Sequence, residues 1–99
     1  SEGTDGVNAA MAYGTDGQLA AFQLVVLEDD KNVQPVYQPA PVVRKAVLEK
    51  YPELPKLLDP IFQKLDLVTL QTLNAKIVVD GKIPEDVARE WLKAAGFIK

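Results

Sequence analysis

The pattern of apolar residues changes at Pro41, and this change constrains the fold more than any other feature. After Pro41 the apolar residues recur every three to four positions, which is typical of helices that bury one face. Before it they stand in short runs separated by turn-forming residues, which predicts strands at residues 7–13, 24–27 and 33–38. The sequence therefore predicts a strand-rich segment over residues 1–40 and a helical segment over residues 41–99.

The helical segment is expected to contain four helices, at residues 42–50, 54–65, 66–75 and 85–95. Pro41 suits the first turn of the first helix, and Pro84 suits the first turn of the last. Asp66 is expected to cap the third helix, because an aspartate can accept hydrogen bonds from the free amides of a first turn.

Two interruptions are predicted within this segment. Pro60 lacks an amide hydrogen and lies inside the second apolar stripe, so that stripe is expected to form two short helical pieces, with Asp59 capping the second. Residues 77–79 are β-branched and are expected to be extended.

Composition excludes several function classes. The chain has 99 residues, enough for one small domain, and a net charge of −3 without a basic cluster, which argues against nucleic-acid binding. It has no histidine and no cysteine, so Ser-His-Asp and Cys-His catalytic sites and thiolate zinc sites are excluded. The acidic run at residues 28–30 lacks the alternating ligands of a calcium loop. We expect no enzyme, no metal site and no cofactor.

Two tyrosines stand at the ends of apolar runs. Tyr13 is followed by the turn-forming residues 14–17, and Tyr37 lies between Pro35 and Pro39. One interpretation is that both rings pack in a sheet with their hydroxyls in water, which is the more common arrangement. The other is that their ring faces bind a cation, in particular a quaternary ammonium ion that has no N–H to donate. The residues alone leave both interpretations open.

The motifs around these tyrosines resemble those of a known family. Tyr-x-Thr-Asp-Gly at residues 13–17 and Pro-x-Tyr-x-x-Ala-Pro-x-Val-Arg at residues 35–44 are similar to elements in the C-terminal part of the substrate-binding proteins of ABC importers for glycine betaine, choline and related quaternary ammonium compounds. One position departs from the family, which often has Ser or Thr where this chain has Gly14.

The resemblance implies an α/β fold, namely the C-terminal part of a two-lobed type II periplasmic-binding-protein fold. It places Tyr13 and Tyr37 in an aromatic box, with Thr15 and Asp16 as weaker ligand candidates. For Thr15 and Asp16 a role in orienting the turn stays open as well. The implied ligand is glycine betaine, choline, carnitine or proline betaine, the implied partner is an ABC permease, and the implied location is extracytoplasmic, in the periplasm or at the outer face of the cell membrane.

A second hypothesis belongs to a different class. The chain would be a small α/β protein–protein interaction or dimerisation module with no small-molecule ligand, in which an exposed strand edge pairs with a partner or with a second copy. Ligand titration together with light scattering distinguishes the two hypotheses. On the first hypothesis, the other walls of the box lie outside these 99 residues, and a homodimer of the isolated chain is also expected.

Overall fold

The computed structural model describes residues 4–99, and within that range it contains helices and no β-strand. A short 3-10 turn at Thr4–Gly6 comes first. Five α-helices follow in chain order: α1 (Gly17–Ala21), α2 (Lys45–Lys50), α3 (Leu54–Gln63), α4 (Leu67–Val78) and α5 (Pro84–Ala94).

The strands predicted at residues 7–13, 24–27 and 33–38 are wrong, because these stretches have irregular backbone. A strand needs a neighbour that exchanges backbone hydrogen bonds with it, and in the described part of the chain these three stretches do not pair with one another. Their apolar side chains stay in solvent; Val25 is 86% exposed and Val36 is 84% exposed. Residues 4–99 therefore form a helical structure and not an α/β one.

The four helices predicted after Pro41 are confirmed, with shifted ends. α2 begins at Lys45, so the prediction that Pro41 lies in its first turn is wrong. The extended segment predicted at residues 77–79 is wrong, since α4 continues to Val78. Leu70, Leu73 and Ile77 repeat at helical spacing and are all half-buried, so burial of this face outweighs the strand preference of the β-branched residues.

The break predicted at Pro60 and the cap predicted at Asp59 are also wrong. α3 runs through Pro60 as a single helix. A proline inside a helix removes one backbone hydrogen bond. The apolar stripe continues on both sides of it, with Leu58, Ile61 and Phe62 half-buried, and this packing keeps the helix intact.

The start of α4 and the end of α5 are capped by hydrogen bonds. The cap predicted at Asp66 is confirmed: its carboxylate accepts a hydrogen bond from the Thr69 amide at 2.8 Å. Pro84 opens α5 as predicted. Gly96 follows the C-cap residue Ala95 of α5 and has a φ of 79°, a left-handed conformation that suits glycine. There the Phe97 amide donates to the Leu92 carbonyl at 2.9 Å, which is the hydrogen bond of a Schellman cap.

α4 is the centre of the described structure, because both α1 and α5 pack against it. Gly17 of α1 lies directly on the α4 backbone, and a β-carbon built on this glycine would be 2.6 Å from the Cα of Ala75. No side chain fits in that space, so glycine is what allows α1 to approach α4 so closely.

The buried core is small. Leu19 in α1 and Val87 in α5 are the buried apolar side chains of the described residues. The radius of gyration is 17.0 Å, whereas a compact domain of 100 residues has about 13 Å. The packing around α4 is therefore local, and much apolar surface stays exposed elsewhere.

Candidate functional site

The first tyrosine lies at the start of a tight turn that closes on itself. The Asp16 amide donates to the Tyr13 carbonyl at 3.0 Å, and the Tyr13 amide donates to Oδ2 of Asp16 at 2.9 Å. This pair of reciprocal hydrogen bonds is the local bonding that favours aspartate in turns. It fixes the backbone from which the Tyr13 ring projects.

Two side chains of α4 hold this turn from the other side. Nε2 of Gln71 donates to the Gly14 carbonyl at 2.6 Å, and Nδ2 of Asn74 donates to the Thr15 carbonyl at 2.8 Å. The two residues are three positions apart, so they share one face of the helix. Both hydrogen bonds are partly buried, and both join residues more than fifty positions apart in the sequence.

Gln71 and Asn74 were not among the site residues predicted from the sequence. A signal for them exists, because both are polar residues set among the apolar positions of the α4 stripe, Leu70, Leu73 and Ile77. An amide on a packed helix face needs a hydrogen-bonding partner, and the carbonyls of the tyrosine turn are those partners.

The structure brings the two predicted tyrosines into contact. The ring centroids of Tyr13 and Tyr37 are 5.5 Å apart and the ring planes meet at 89°, an edge-to-face pair. Neither ring is buried; Tyr13 is 63% exposed and Tyr37 is 50% exposed. Two rings that are 24 positions apart in the sequence therefore form a solvent-facing corner.

The loop before Tyr37 has its own support. The Gln34 amide donates to Oδ2 of Asp29 at 2.7 Å, and the Asn32 amide donates to the Asp29 carbonyl at 3.1 Å. The amides of Gln34 and then Val33 lower the pKa of the Asp29 carboxyl. Asp29 therefore stabilises this loop through hydrogen bonds. This structural role explains one of the three acidic residues at positions 28–30 without a bound ligand.

An open depression of about 300 Å³ lies beside the tyrosine pair, between the turn, the Tyr37 segment and α4. This volume is at the lower end of the range for small-molecule sites, about 300–1,000 Å³. No charged residue lines it; the lining residues are Thr15, Val36, Tyr37, Gln38, Pro39, Leu70 and Asn74.

The four predicted site residues occupy different places. Tyr37 and Thr15 line the depression, whereas Tyr13 does not line it and contacts the Tyr37 ring edge to face. The Asp16 carboxylate is engaged with the Tyr13 amide and holds the turn. Within residues 4–99, no three acidic side chains come together as a metal site, and no helix is both long and apolar enough to cross a membrane.

The sequence matches the model of one protein family along almost its whole length. The family is described as the substrate binding domain of ABC-type glycine betaine transport systems, and the match covers residues 3–94. The chain therefore belongs to this family, a family of substrate binding in transport and not of catalysis.

Individual relatives agree with this assignment. The glycine betaine-binding protein YehZ of Escherichia coli is 54% identical over 96 residues, which cover 97% of this chain and 32% of YehZ. A glycine-betaine-binding protein of Pseudomonas aeruginosa is 47% identical over 79 residues, covering 80% of this chain and 25% of the relative. An ergothioneine transport permease/ergothioneine binding protein, EgtU of Helicobacter pylori, is 39% identical over 91 residues, covering 92% of this chain and 16% of the relative.

A solved structure shows the same backbone arrangement. Apo YehZ superposes on 98% of this chain with a TM-score of 0.87 at 52% identity, and the superposed part is 34% of the YehZ chain. The chain thus corresponds to about a third or less of the length of the relatives it matches.

Proposed function

We propose that this chain forms part of the binding site of an ABC importer for a quaternary ammonium compatible solute, and that the ring faces of Tyr13 and Tyr37 contact the cationic group. The observation that carries this proposal is the right-angle contact between the two rings, with a centroid separation of 5.5 Å. Family membership supplies the substrate class.

The chemistry of the ligand explains why aromatic faces are suited to it. A quaternary ammonium group has no hydrogen to donate, so attraction to the negative faces of aromatic rings replaces hydrogen bonding. Each face contributes about 0.5–2 kcal/mol, and more where water is excluded. A cation in the corner between two perpendicular rings lies within reach of both faces, about 6 Å from each centroid.

The rest of the proposed site lies outside these residues. The chain corresponds to about a third of YehZ. We assign it to the C-terminal part of a two-lobed type II binding-protein fold, because the motifs at residues 13–17 and 35–44 resemble elements from that part of such proteins. Further aromatic walls and the groups that bind the ligand's carboxylate or hydroxyl would come from the other lobe. The protein would work outside the cytoplasm, in the periplasm or at the outer face of the cell membrane, and would deliver its ligand to an ABC permease.

The choice of ligand is narrowed by the relatives. They are named for glycine betaine, ergothioneine and carnitine, all of which carry a trimethylated nitrogen and a carboxylate. Glycine betaine is the first ligand to test, since the relatives of highest identity among these are named for it. Choline, carnitine and proline betaine belong to the same chemical class. Thr15 is a secondary contact candidate because it lines the depression, whereas the Asp16 carboxylate is already bound to the turn.

Calorimetric titration of the intact protein with glycine betaine tests this proposal. Tyr13→Ala and Tyr37→Ala should each raise the Kd about tenfold or more, because each removes a ring face. Tyr51→Ala is the matched control: Tyr51 is a 44% exposed tyrosine at the end of α2, outside the depression. If both site variants bind as tightly as the wild type, the aromatic-box assignment is wrong.

A second candidate function is supported by the exposed apolar side chains. Val25 and Leu27 are 86% and 81% exposed in the stretch after α1. Such surface is suited to pairing with a partner protein or with a second copy, giving an interaction or dimerisation module with no small-molecule ligand. Self-association of the intact protein in light scattering, together with no heat of ligand binding, would favour this alternative.

A further inference from the structure

We infer that Gln71 of α4 is a positioning residue for the tyrosine pair, and that Asn74 assists it. Both donate hydrogen bonds to the backbone of the turn that carries Tyr13; Gln71 does so from outside the depression, whereas Asn74 also lines it. This inference rests on the function proposed above and extends it to two residues that have amide side chains and no aromatic ring.

The tyrosine turn leads directly into Gly17, whose backbone packs on α4, so this contact fixes one end of the turn. Its own hydrogen bonds, between Tyr13 and Asp16, set its shape but not its location. The amides of Gln71 and Asn74 connect it to a twelve-residue helix, through the carbonyls of two consecutive residues, Gly14 and Thr15. Two bonds to adjacent carbonyls fix both the position and the orientation of a turn.

The position of this attachment determines where the Tyr13 ring stands. Gly14, which accepts from Gln71, directly follows Tyr13 in the chain, and the Tyr13 ring meets Tyr37 edge to face. Tyr37 lies in a separate segment, just after the loop that Asp29 stabilises by its hydrogen bond with the Gln34 amide. Since the two rings reach the corner from independently supported segments, a displaced turn would alter the angle and distance between them.

Gln71 differs from Asn74 in a way that is useful for testing. Asn74 lines the depression beside Tyr37, whereas Gln71 does not. An effect of a Gln71 substitution on ligand affinity would therefore come through the turn. Loss of its donor leaves the partly buried Gly14 carbonyl without this partner, which favours a shifted turn.

The experiment uses the intact protein with glycine betaine as the probe. Gln71→Met keeps the side-chain length and removes the donor, and should raise the Kd about fivefold, the typical worth of one such hydrogen bond. Thr72→Val is the matched control, because it removes a side-chain hydrogen bond to a backbone carbonyl, that of Val68, on the same helix but away from the turn. It should leave the Kd unchanged.

A spectroscopic readout separates positioning from general stability. In proton NMR of the ligand-free protein, the nuclear Overhauser effect between the Tyr13 and Tyr37 rings should weaken in Gln71→Met and persist in Thr72→Val. Val87→Ala removes part of a buried side chain of α5 and should lower the melting temperature while preserving both the ring contact and the Kd.

The outcomes are distinguishable. If Gln71→Met and Asn74→Leu bind like the wild type while Tyr37→Ala loses affinity, the positioning role is wrong and the proposed function stands. If Tyr37→Ala also binds like the wild type, the proposed function fails and this inference falls with it. Gln71→Glu is a second variant of similar size whose ionised carboxylate cannot donate; if Gln71→Met and Gln71→Glu both fail to fold, Gln71 is a folding residue and the inference is overturned.

Discussion

Gly17 lies so close to Ala75 that a β-carbon on the glycine would be 2.6 Å from the Cα of Ala75. The contact is between two backbones, because the neighbouring atoms belong to the main chain of α4 and not to a flexible side chain. It places the start of α1, and with it the turn that ends at Asp16, directly on α4.

Gly17→Ala should therefore destabilise the protein. A methyl group here must move α1 or α4, and overpacking of this kind costs about 1–3 kcal/mol. Gly14→Ala is the matched control, because a β-carbon at Gly14 would meet only the Leu67 side chain, at an ordinary 3.6 Å. Urea unfolding of the intact variants measures the difference. Equal free energies of unfolding for the two variants would contradict the close approach.

The tyrosine pair predicts a specific pattern of affinities. Tyr13→Phe and Tyr37→Phe keep the ring faces and should be milder than the alanine variants, if the face and not the hydroxyl binds the ligand. Because the rings touch, the losses in the two alanine variants should not add in the double variant, with a coupling of about 0.5–1.5 kcal/mol. A double-mutant cycle by calorimetry measures this coupling; strict additivity would show that the rings act separately.

Asp66 should contribute to stability in a pH-dependent way. The Thr69 amide, followed by the Thr69 hydroxyl, lowers the pKa of the Asp66 carboxyl below its ordinary 3.8. The contribution is therefore complete above that value and is lost as the pH falls through the lower pKa of the folded state. Asp66→Asn keeps a capping oxygen without titrating. Its stability should therefore fall less than that of the wild type as the pH is lowered from about 5, roughly one unit above the ordinary pKa of aspartate, through the lowered pKa of the folded state.

Urea midpoints of the wild type and Asp66→Asn across this pH range provide the check. Asp29, whose pKa is also lowered, is present in both proteins, so its effect cancels in the comparison. Parallel pH curves for the two proteins would refute the role of the Asp66 charge.

The isolated chain of 99 residues should bind glycine betaine weakly or not at all, although both tyrosines are present. Two ring faces supply a few kcal/mol at most, and the entropy lost on association cancels much of that. The same chain should self-associate, because its exposed surface is rich in large apolar side chains. Calorimetry and analytical ultracentrifugation test both expectations; a strictly monomeric chain with micromolar affinity would contradict them.

The helical half could be predicted from the sequence because its information is local. Caps such as Asp66, and an apolar stripe such as that of α4, act within a few residues of themselves. The errors at Pro60 and at residues 77–79 share one feature: each helix continues with half-buried apolar residues along one face, in spite of the local preference.

The first half could not be predicted in the same way, since a strand depends on residues far away in sequence. Residues 24–27 have the composition of a strand, but no partner for them lies in residues 4–99. The two tyrosines could be identified as site candidates from the sequence, because each lies in a motif of only a few consecutive residues. The hydrogen bonds of the Gln71 and Asn74 side chains could not be predicted, because the carbonyls that accept them are 57 and 59 positions away in the sequence.

This sequence separation has a kinetic consequence. During synthesis, Gly14 is added 57 residues before Gln71, which takes roughly 3–11 s at 5–20 residues per second. Until Gln71 has been added, the turn can form its own hydrogen bonds but not those with the side chains of α4. Closing a loop of this length also costs entropy before any contact compensates for it. On the proposed function, the tyrosine turn would therefore reach its final position only after α4 has been synthesised and has packed against α1.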